Sequence, residues 1–452
     1  MKHILITGAT GNIGQNLVLH LLKNKYQVSI VSRDLKKAKH KLPLPINIVE
    51  CDLSKSKINS SKLKGVDCVI NLAKESLVNK ALTKSRQREI LDKSEAICKN
   101  LVASFDYEVH FIHISGTSCY KESQFPLTEN SPLSDNFFGN LARKTEKPFE
   151  NYKSTILRLP FVISESMPII KTLSYLYRFM LAPKILSSNL ISWVHAEDIN
   201  KSICNIIESS DHRDLINIVA GSTSLKELHA VFSRLTNRIN PLFVPAFVLK
   251  KLLKVKSKMI LANTEVHSIH SQFLNLTYTR IEECLEYTLS NTQTPTLSSP
   301  LFHYEFKTFQ FVPRPIDKVF DFFKEAKNLE EITPDKLNFR IIAQSSENIE
   351  EGSRFEYKLK LNGLEFHWTT YIENWNPPLK FTDYQSKGPY QVWYHTHSFF
   401  EVDGGTLMID DVKYRLPFGM LGDIFGLWYV SKNIKEIFEY RYKYIKGIFG
   451  YE

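Results

Sequence analysis

Apolar and polar positions along the first third of the chain repeat in one order: a short apolar run, a polar turn, then apolar residues at helical spacing. His3-Ile4-Leu5-Ile6 is such a run, and Leu17, Val18, Leu21 and Leu22 recur after it at intervals of three and four. Further apolar runs lie at 28–31, 46–53, 66–73 and 109–115, with a helical pattern from about 80 to 103. Buried strands that alternate with helices predict an α/β fold, a doubly wound parallel sheet covered on both faces. From about residue 303 the pattern changes. A strand at 307–311 and a helix at 315–327 lead into strand-like runs at 355–361, 365–373, 391–400 and 406–414. The chain closes on Leu421, Ile424, Phe425, Trp428, Ile434, Ile437, Phe438, Ile445 and Ile448 at helical spacing. That order predicts an antiparallel sheet wrapped on a long C-terminal helix.

A chain of 452 residues exceeds one ordinary core, and the pattern supports two domains. The polar stretch SNTQTPTLSSP has no apolar period and reads as a linker, so the expected division is 1–290, a linker at 291–302, and 303–452. The excess of 58 basic over 48 acidic residues is scattered, as in Lys36, Lys37, Lys39 and Lys41, which reads as solvated surface with no nucleic-acid partner. Six cysteines without metal-like spacing read as reduced thiols of a cytoplasmic protein, and no signal peptide is expected. The apolar stretches at 241–261 and 417–430 are broken or too short to span a bilayer.

The candidate chemistry begins at Gly8, Thr10, Gly11, Asn12, Ile13 and Gly14, between the first strand and the first helix. Glycines at this spacing allow a tight turn, a close approach of backbone to pyrophosphate, and tight helix–strand packing. Ser32 and Arg33 end the second strand, where a hydroxyl and a guanidinium suit the 2′-phosphate of NADP; Asp34, one residue later, keeps NAD open. Asp52 and Leu53 are expected beside the adenine, and Leu72 and Ala73 along the cofactor crevice. Ser115, Thr117 and Tyr120, where the fifth strand ends, are the candidate catalytic residues, with ordinary turn chemistry as the alternative. His195 and Asp198 read as cap and packing residues. In the second domain Trp393, His395, His397 and Phe399 share one strand face, which sets the two imidazoles about 7 Å apart by strand rise. That is close enough for a shared metal, but with no third ligand evident they read as a hydrogen-bonded or pocket-lining pair and no metal site is assigned. Trp368, Tyr390 and Trp393 read as core, with cavity lining as the alternative.

The segments TGATGNIG, CDL at 51–53, NLA at 71–73, ISGTSCY, RLPFVIS at 158–164 and WVHAEDI at 193–199 resemble the extended short-chain dehydrogenase/reductase superfamily. Within it the chain is most similar to an atypical group of epimerase-family, sugar-nucleotide-epimerase-like proteins, whose VPAF segment corresponds to 244–247. The resemblance covers 1–290 and implies a Rossmann-type NAD(P) domain with a small C-terminal lobe. Active members of the superfamily carry a Tyr and, four residues later, a Lys as acid/base pair. Here no Tyr occurs between Tyr120 and Tyr152, and Lys144 stands alone. The group's Cys-Arg-x-Trp-Glu stretch is matched only at Arg143 and Glu146, and Lys74 replaces a glycine in its asparagine-leucine-alanine-glycine-glutamate turn.

Residues 303–452 resemble the START-like, polyketide-cyclase-related superfamily through NLEEITP at 328–334, GPY at 388–390, WYHTH at 393–397 and YRLP at 414–417. That resemblance implies a helix-grip fold around an apolar cavity. Three functions follow as expectations. The first is an NADP-binding epimerase or oxidoreductase acting on a small molecule, fused to a domain for an apolar ligand. The second is a non-catalytic nucleotide sensor or scaffold, and the third a lipid-binding or transfer protein.

Overall fold

The first strand, β1 (His3–Thr7), is buried over four of its five residues and feeds through the glycine turn into α1 (Asn12–Lys23). Leu17, Val18, Leu21 and Leu22 are the buried stripe of α1, as their spacing predicts. Each such side chain contributes about 1.5–3 kcal/mol relative to exposure. In this computed structural model the described residues are 1–75, 77, 81–185, 189–209, 213–245, 247–248, 251, 254–257, 263–290, 304–361 and 364–450. The expected linker at 291–302 and residue 246 of the VPAF segment lie outside them. The chain divides into two compact units, one of Met1–Leu42 and Ile46–Thr288, the other chiefly Leu289–Glu452.

In the first unit the chain continues through β2 (Gln27–Ser32), α2 (Leu35–Lys41), β3 (Asn47–Glu50), β4 (Cys68–Asn71), α3 (Lys84–Val102) and β5 (His110–Gly116). Next come α4 (Phe137–Glu146), β6 (Ser154–Leu159), β7 (Phe161–Ile163), α5 (Pro168–Arg178), β8 (Leu190–His195), α6 (Ala196–Glu208), β9 (Leu215–Asn217), β10 (Gly221–Ser224) and α7 (Leu225–Thr236). The short α8 (Ser271–Leu274) and α9 (Ile281–Ser290) close the unit. Seven parallel strands run in the order β3-β2-β1-β4-β5-β6-β9. Strand order reverses between β1 and β4, so the crevice at the carboxyl edge opens where the glycine turn sits. A smaller sheet, β10-β8-β7, forms the lobe beside it. The third apolar run was expected to be strand through residue 53; the strand ends at Glu50, because Asp52 starts a turn by accepting from the Ser54 amide.

The second unit holds β11 (Tyr304–Val312), α10 (Ile316–Lys324), α11 (Asn328–Glu331), β12 (Arg340–Gln344), β13 (Arg354–Leu361), β14 (Leu364–Asn376), β15 (Lys380–Lys387), β16 (Val392–Val402), β17 (Gly405–Arg415) and α12 (Gly419–Ile448). Its antiparallel sheet runs β11-β17-β16-β15-β14-β13-β12. Two of these strands, β12 and β15, are absent from the sequence reading. β15 reads KFTDYQSK, with Phe381 and Tyr384 its only aromatic or aliphatic residues, and it is placed by pairing with β14 and β16. The core is aromatic: Phe320, Phe323, Phe355, Phe381 and Phe399 pack with Met408 and Ile445. The closing helix departs from its expected single buried stripe. Ile434, Phe438 and Ile445 are buried, whereas Leu421, Ile424, Phe425 and Trp428 are 54–82% exposed. No helix among the described residues is long and apolar enough to cross a membrane.

Candidate functional site

The glycine turn is built by contacts that admit no side chain. Gly8 has φ +71°, and a methyl there would lie 2.7 Å from Ala73 N and from Leu72 C. At Gly14 a methyl would lie 2.6 Å from Ala9 Cα and Gly8 O, closer than atoms approach without something shifting. The Gly11 amide donates to Gly8 O at 3.0 Å and closes the turn. No side chain caps α1 at Gly11, which leaves first-turn amides and the positive end of the helix dipole for an anion. Thr10 supplies its carbonyl to the Lys41 ammonium, 2.9 Å away. Lys41 thus places a positive charge at the turn, although in sequence it reads as one more member of a solvated lysine run.

Across the crevice, Thr7 Oγ1 donates to Asn71 Oδ1 at 2.6 Å and accepts from the Ala73 amide at 3.2 Å, so the end of β4 is fastened to the end of β1. Asn71 also bonds buried His113, whose pKa burial pushes down to about 3. Leu72 and Ala73 are half-buried at this edge. Lys74 follows directly, and desolvation by surrounding protein lowers its ammonium pKa.

At the tip of β2, Ser32 Oγ donates to the Asp34 carbonyl, and Asp34 caps α2 by accepting from the Lys37 amide at 2.9 Å. Asp34 is therefore used as a helix cap. The Arg33 side chain is 72% exposed, its nearest anion the Glu75 carboxylate at 3.9 Å. Asp52 accepts from Ser54 Oγ at 2.7 Å, which holds its carboxyl below the usual range despite burial; Leu53 is buried in the core under it.

Ser115 lies near the end of β5 and is half-buried, while Thr117 follows the strand and is buried. Tyr120 points into packing: it is 2% exposed, its hydroxyl donates to Asn217 Oδ1 at 2.7 Å, the Arg158 guanidinium lies over its ring, and burial pushes its pKa up to about 12. On α4, Lys144 is held by Glu95 at 2.6 Å and Asp92 at 3.5 Å, both on α3, and position 140, four residues before it, is asparagine. Arg143 donates to Ser134 O, while Glu146 forms a buried two-point pair with Arg158 at 3.0 and 2.6 Å. His195 begins α6 as its cap, its Nδ1 accepting from the Glu197 amide, and it packs on Tyr278 and Tyr287. Asp198 accepts from the Thr277 and Tyr278 amides. The cap-and-packing reading of these two residues describes what they do here.

In the second unit the imidazoles of His395 and His397 are far closer than strand rise implies, with ring centroids 3.9 Å apart. The two side chains lean towards each other, so the rings stand closer than their Cα atoms. The sequence offered no third polar partner, and the structure brings three: Asp383 from β15, Asp410 from β17 and Arg441 from α12. Burial opposes ionisation of both carboxyls, but His395 and His397 hold Asp383 below the usual range, and Arg441 with the two imidazoles does the same for Asp410. Burial likewise opposes charge on His395, yet the two carboxylates raise its pKa. In His397 burial and the neighbouring His395 charge prevail and lower it. Trp368, Tyr390 and Trp393 form a separate aromatic cluster with centroids 4.9–5.5 Å apart.

Residues 4–218 match the sequence model of the NAD dependent epimerase/dehydratase family. That match lies within the N-terminal unit. Epimerase family protein SSP1921 of Staphylococcus saprophyticus is 24% identical over 279 residues, 59% of this chain and 91% of that protein. Epimerase family protein YfhF of Bacillus subtilis is 24% identical over 315 residues, 65% of this chain and 99% of that protein. Among solved structures, human epimerase family protein SDR39U1 with NADPH superposes with a TM-score of 0.56 at 20% identity, covering 63% of this chain and 98% of its own. UDP-glucose 4-epimerase of Thermotoga maritima with UDP-glucose gives 0.51 at 17% identity, covering 63% and 97%. At these identities the structures share the fold.

Proposed function

We propose that the N-terminal unit binds NADP and works as an epimerase-like oxidoreductase on a small molecule. The observation that carries this reading is the glycine turn at the β1–β4 reversal, with an uncapped α1 above it and an exposed Arg33 at the tip of β2. The adenine lies between Asp52 and Leu53, the pyrophosphate on residues 10–14, the 2′-phosphate on Ser32 and Arg33, and the nicotinamide half along Leu72 and Ala73. The human relative solved with NADPH supports this choice over NAD. Ser115 and Thr117 orient the substrate oxygen; Tyr120, with its hydroxyl committed to Asn217, contributes packing under them. The protein acts in the cytoplasm with reduced thiols.

The residues 303–452 are proposed as a START-like domain that holds an apolar ligand, and 1–290 as the cofactor domain. A cleft of about 320 Å³ lined by Phe320, Trp375, Pro377 and Pro378 with Asp317 and Lys324 is a concave surface for it. A second reading, a nucleotide-occupancy sensor without catalysis, is favoured by Lys144, which pairs with Glu95 and has asparagine where the acid/base tyrosine belongs.

Titration of the full chain with NADPH and NADH, followed by nicotinamide fluorescence and thermal shift, tests both readings. Binding of NADPH supports them; no response to either nucleotide rejects both. If NADPH binds, turnover that survives Ser115→Ala combined with Thr117→Ala removes the hydroxyls from the mechanism.

A further inference from the structure

Two imidazoles and two carboxylates form a closed ring in the core of the C-terminal unit, with ring nitrogens set beside carboxylate oxygens on both sides. His395 Nδ1 lies 3.2 Å and His397 Nε2 3.0 Å from Asp383 Oδ2. On the other side, His395 Nε2 lies 3.0 Å and His397 Nδ1 3.1 Å from Asp410 Oδ1. Two of these contacts are hydrogen bonds from ring nitrogens, His395 Nε2 to Asp410 and His397 Nε2 to Asp383, and Arg441 Nη2 lies 3.0 Å from His397 Nδ1. His395 Nδ1 against Asp383 is left as a nitrogen beside a carboxylate oxygen, in a buried cluster whose rings stand 3.9 Å apart.

We propose that Asp383, His395 and His397 form a site for a divalent transition ion of the zinc type, with Asp410 and Arg441 as its orienting shell. The ion takes His395 Nδ1, His397 Nε2 and Asp383 Oδ2. His395 then points its remaining N–H, at Nε2, to Asp410 3.0 Å away, the usual carboxylate support of metal-bound histidine. His397 Nδ1 lies 3.1 Å from Asp410 Oδ1 and 3.0 Å from Arg441 Nη2, so binding of the ion turns the Arg441 N–H from His397 to Asp410. Arg441 Nη2, 3.2 Å from Asp410 Oδ1, balances that carboxylate's charge. The ligand atoms of the three residues lie within 4.8 Å of one another. The two N···O separations of 3.0 and 3.2 Å approach the roughly 3.3 Å edge of a tetrahedron built on bonds of about 2.0–2.1 Å.

The backbone builds the site before any ion arrives. His395 and Asp383 are register partners across β16 and β15, and His397 and Asp410 across β16 and β17, so all four face one side of the sheet. Phe381 stacks on His397 at 4.3 Å and Phe438 meets His395 edge-on, which restrains the rings. Access is from Asp383, whose side chain is 21% exposed against 7% and 6% for the histidines. Two imidazoles and one carboxylate with a position open to water suit Zn²⁺ or Co²⁺ and not Ca²⁺ or Mg²⁺, which take oxygen shells. Nothing in this proposal depends on the nucleotide site.

The test uses the untagged full chain, stripped with chelator and titrated with Zn²⁺ against a chromophoric indicator, then with Co²⁺ followed by visible absorption. One Zn²⁺ per chain and four-coordinate Co²⁺ bands are expected, and X-ray absorption of the zinc-loaded wild type should show two imidazole ligands. Asp383→Asn and His397→Gln should each weaken Zn²⁺ binding by at least ~10-fold, with Asp410→Asn in the ~10–100-fold range of an orienting residue. His367→Gln, an exposed histidine outside the ring, should bind as wild type does. Absence of stoichiometric Zn²⁺ binding by the wild type overturns the proposal. So does a zinc site without two imidazoles in the wild-type absorption spectrum, a readout that stands even where a variant fails to fold.

Discussion

The glycine turn and the His–Asp ring are both sites built on sheets, but one is made of backbone and the other of side chains. At the turn, function rests on the absence of atoms: a methyl at Gly8 or Gly14 would stand within 2.7 Å of main-chain atoms. In the ring, function rests on charges drawn from three strands and a helix. The difference teaches where each fails. A backbone site is destroyed by adding volume, a side-chain site by removing one partner and leaving the others buried and unpaired.

The comparison breaks most sharply at Arg441. Arg441→Met leaves Asp410 buried without its cation and should cost about 3–5 kcal/mol in urea unfolding. A cost near zero would mean the ring carries no net charge to balance. Gly8→Ala, by contrast, adds one methyl at positive φ; about 2–4 kcal/mol from overpacking and left-handed strain is expected, together with loss of NADPH binding. Retained nucleotide affinity would place the pyrophosphate elsewhere. Arg33→Ala should cost roughly 1.5–3 kcal/mol in NADPH affinity and far less for NADH, measured by fluorescence titration. Equal losses would reject the 2′-phosphate contact.

A pH effect comparable to the largest of these comes from a buried histidine. His113 is buried neutral with its folded pKa pushed to about 3, below an unfolded value near 6.5. The unfolded chain therefore binds more protons over that window. Stability from this group is complete above pH 6.5 and falls by about 1.4 kcal/mol per unit as pH drops towards 3. His113→Asn should remove that slope from denaturation curves taken across the window. The smallest effect is expected at Trp428, 77% exposed on α12. Trp428→Ser should change stability by less than about 0.5 kcal/mol; a larger loss would show that this end of the helix is packed.

Much of the first site was legible because its signal is local. Gly8, Gly11 and Gly14, the run before them and the stripe of Leu17, Val18, Leu21 and Leu22 lie within one strand–turn–helix, where spacing fixes geometry. Arg33 was legible for the same reason, as the residue ending a strand. Lys41 was not, since its ammonium reaches Thr10 only after α2 folds back over the turn. Tyr120 was legible as a residue at a strand end, but its hydroxyl is taken by Asn217, distant in sequence.

In the second unit the sequence alone determined that His395 and His397 share a strand face, because side chains alternate with period two whatever the partners. It also determined the order of most strands and the long closing helix. Only the tertiary structure decided that the histidines meet Asp383, Asp410 and Arg441. Asp383 lies on β15, a strand too polar to announce itself, and cross-strand register is set by the whole sheet. The same reason explains α12: helical spacing marks its apolar residues, but the sheet beneath decides that Ile434, Phe438 and Ile445 are covered while Leu421, Ile424, Phe425 and Trp428 remain exposed. Periodicity is a property of the chain, whereas neighbours across strands depend on everything the chain packs against.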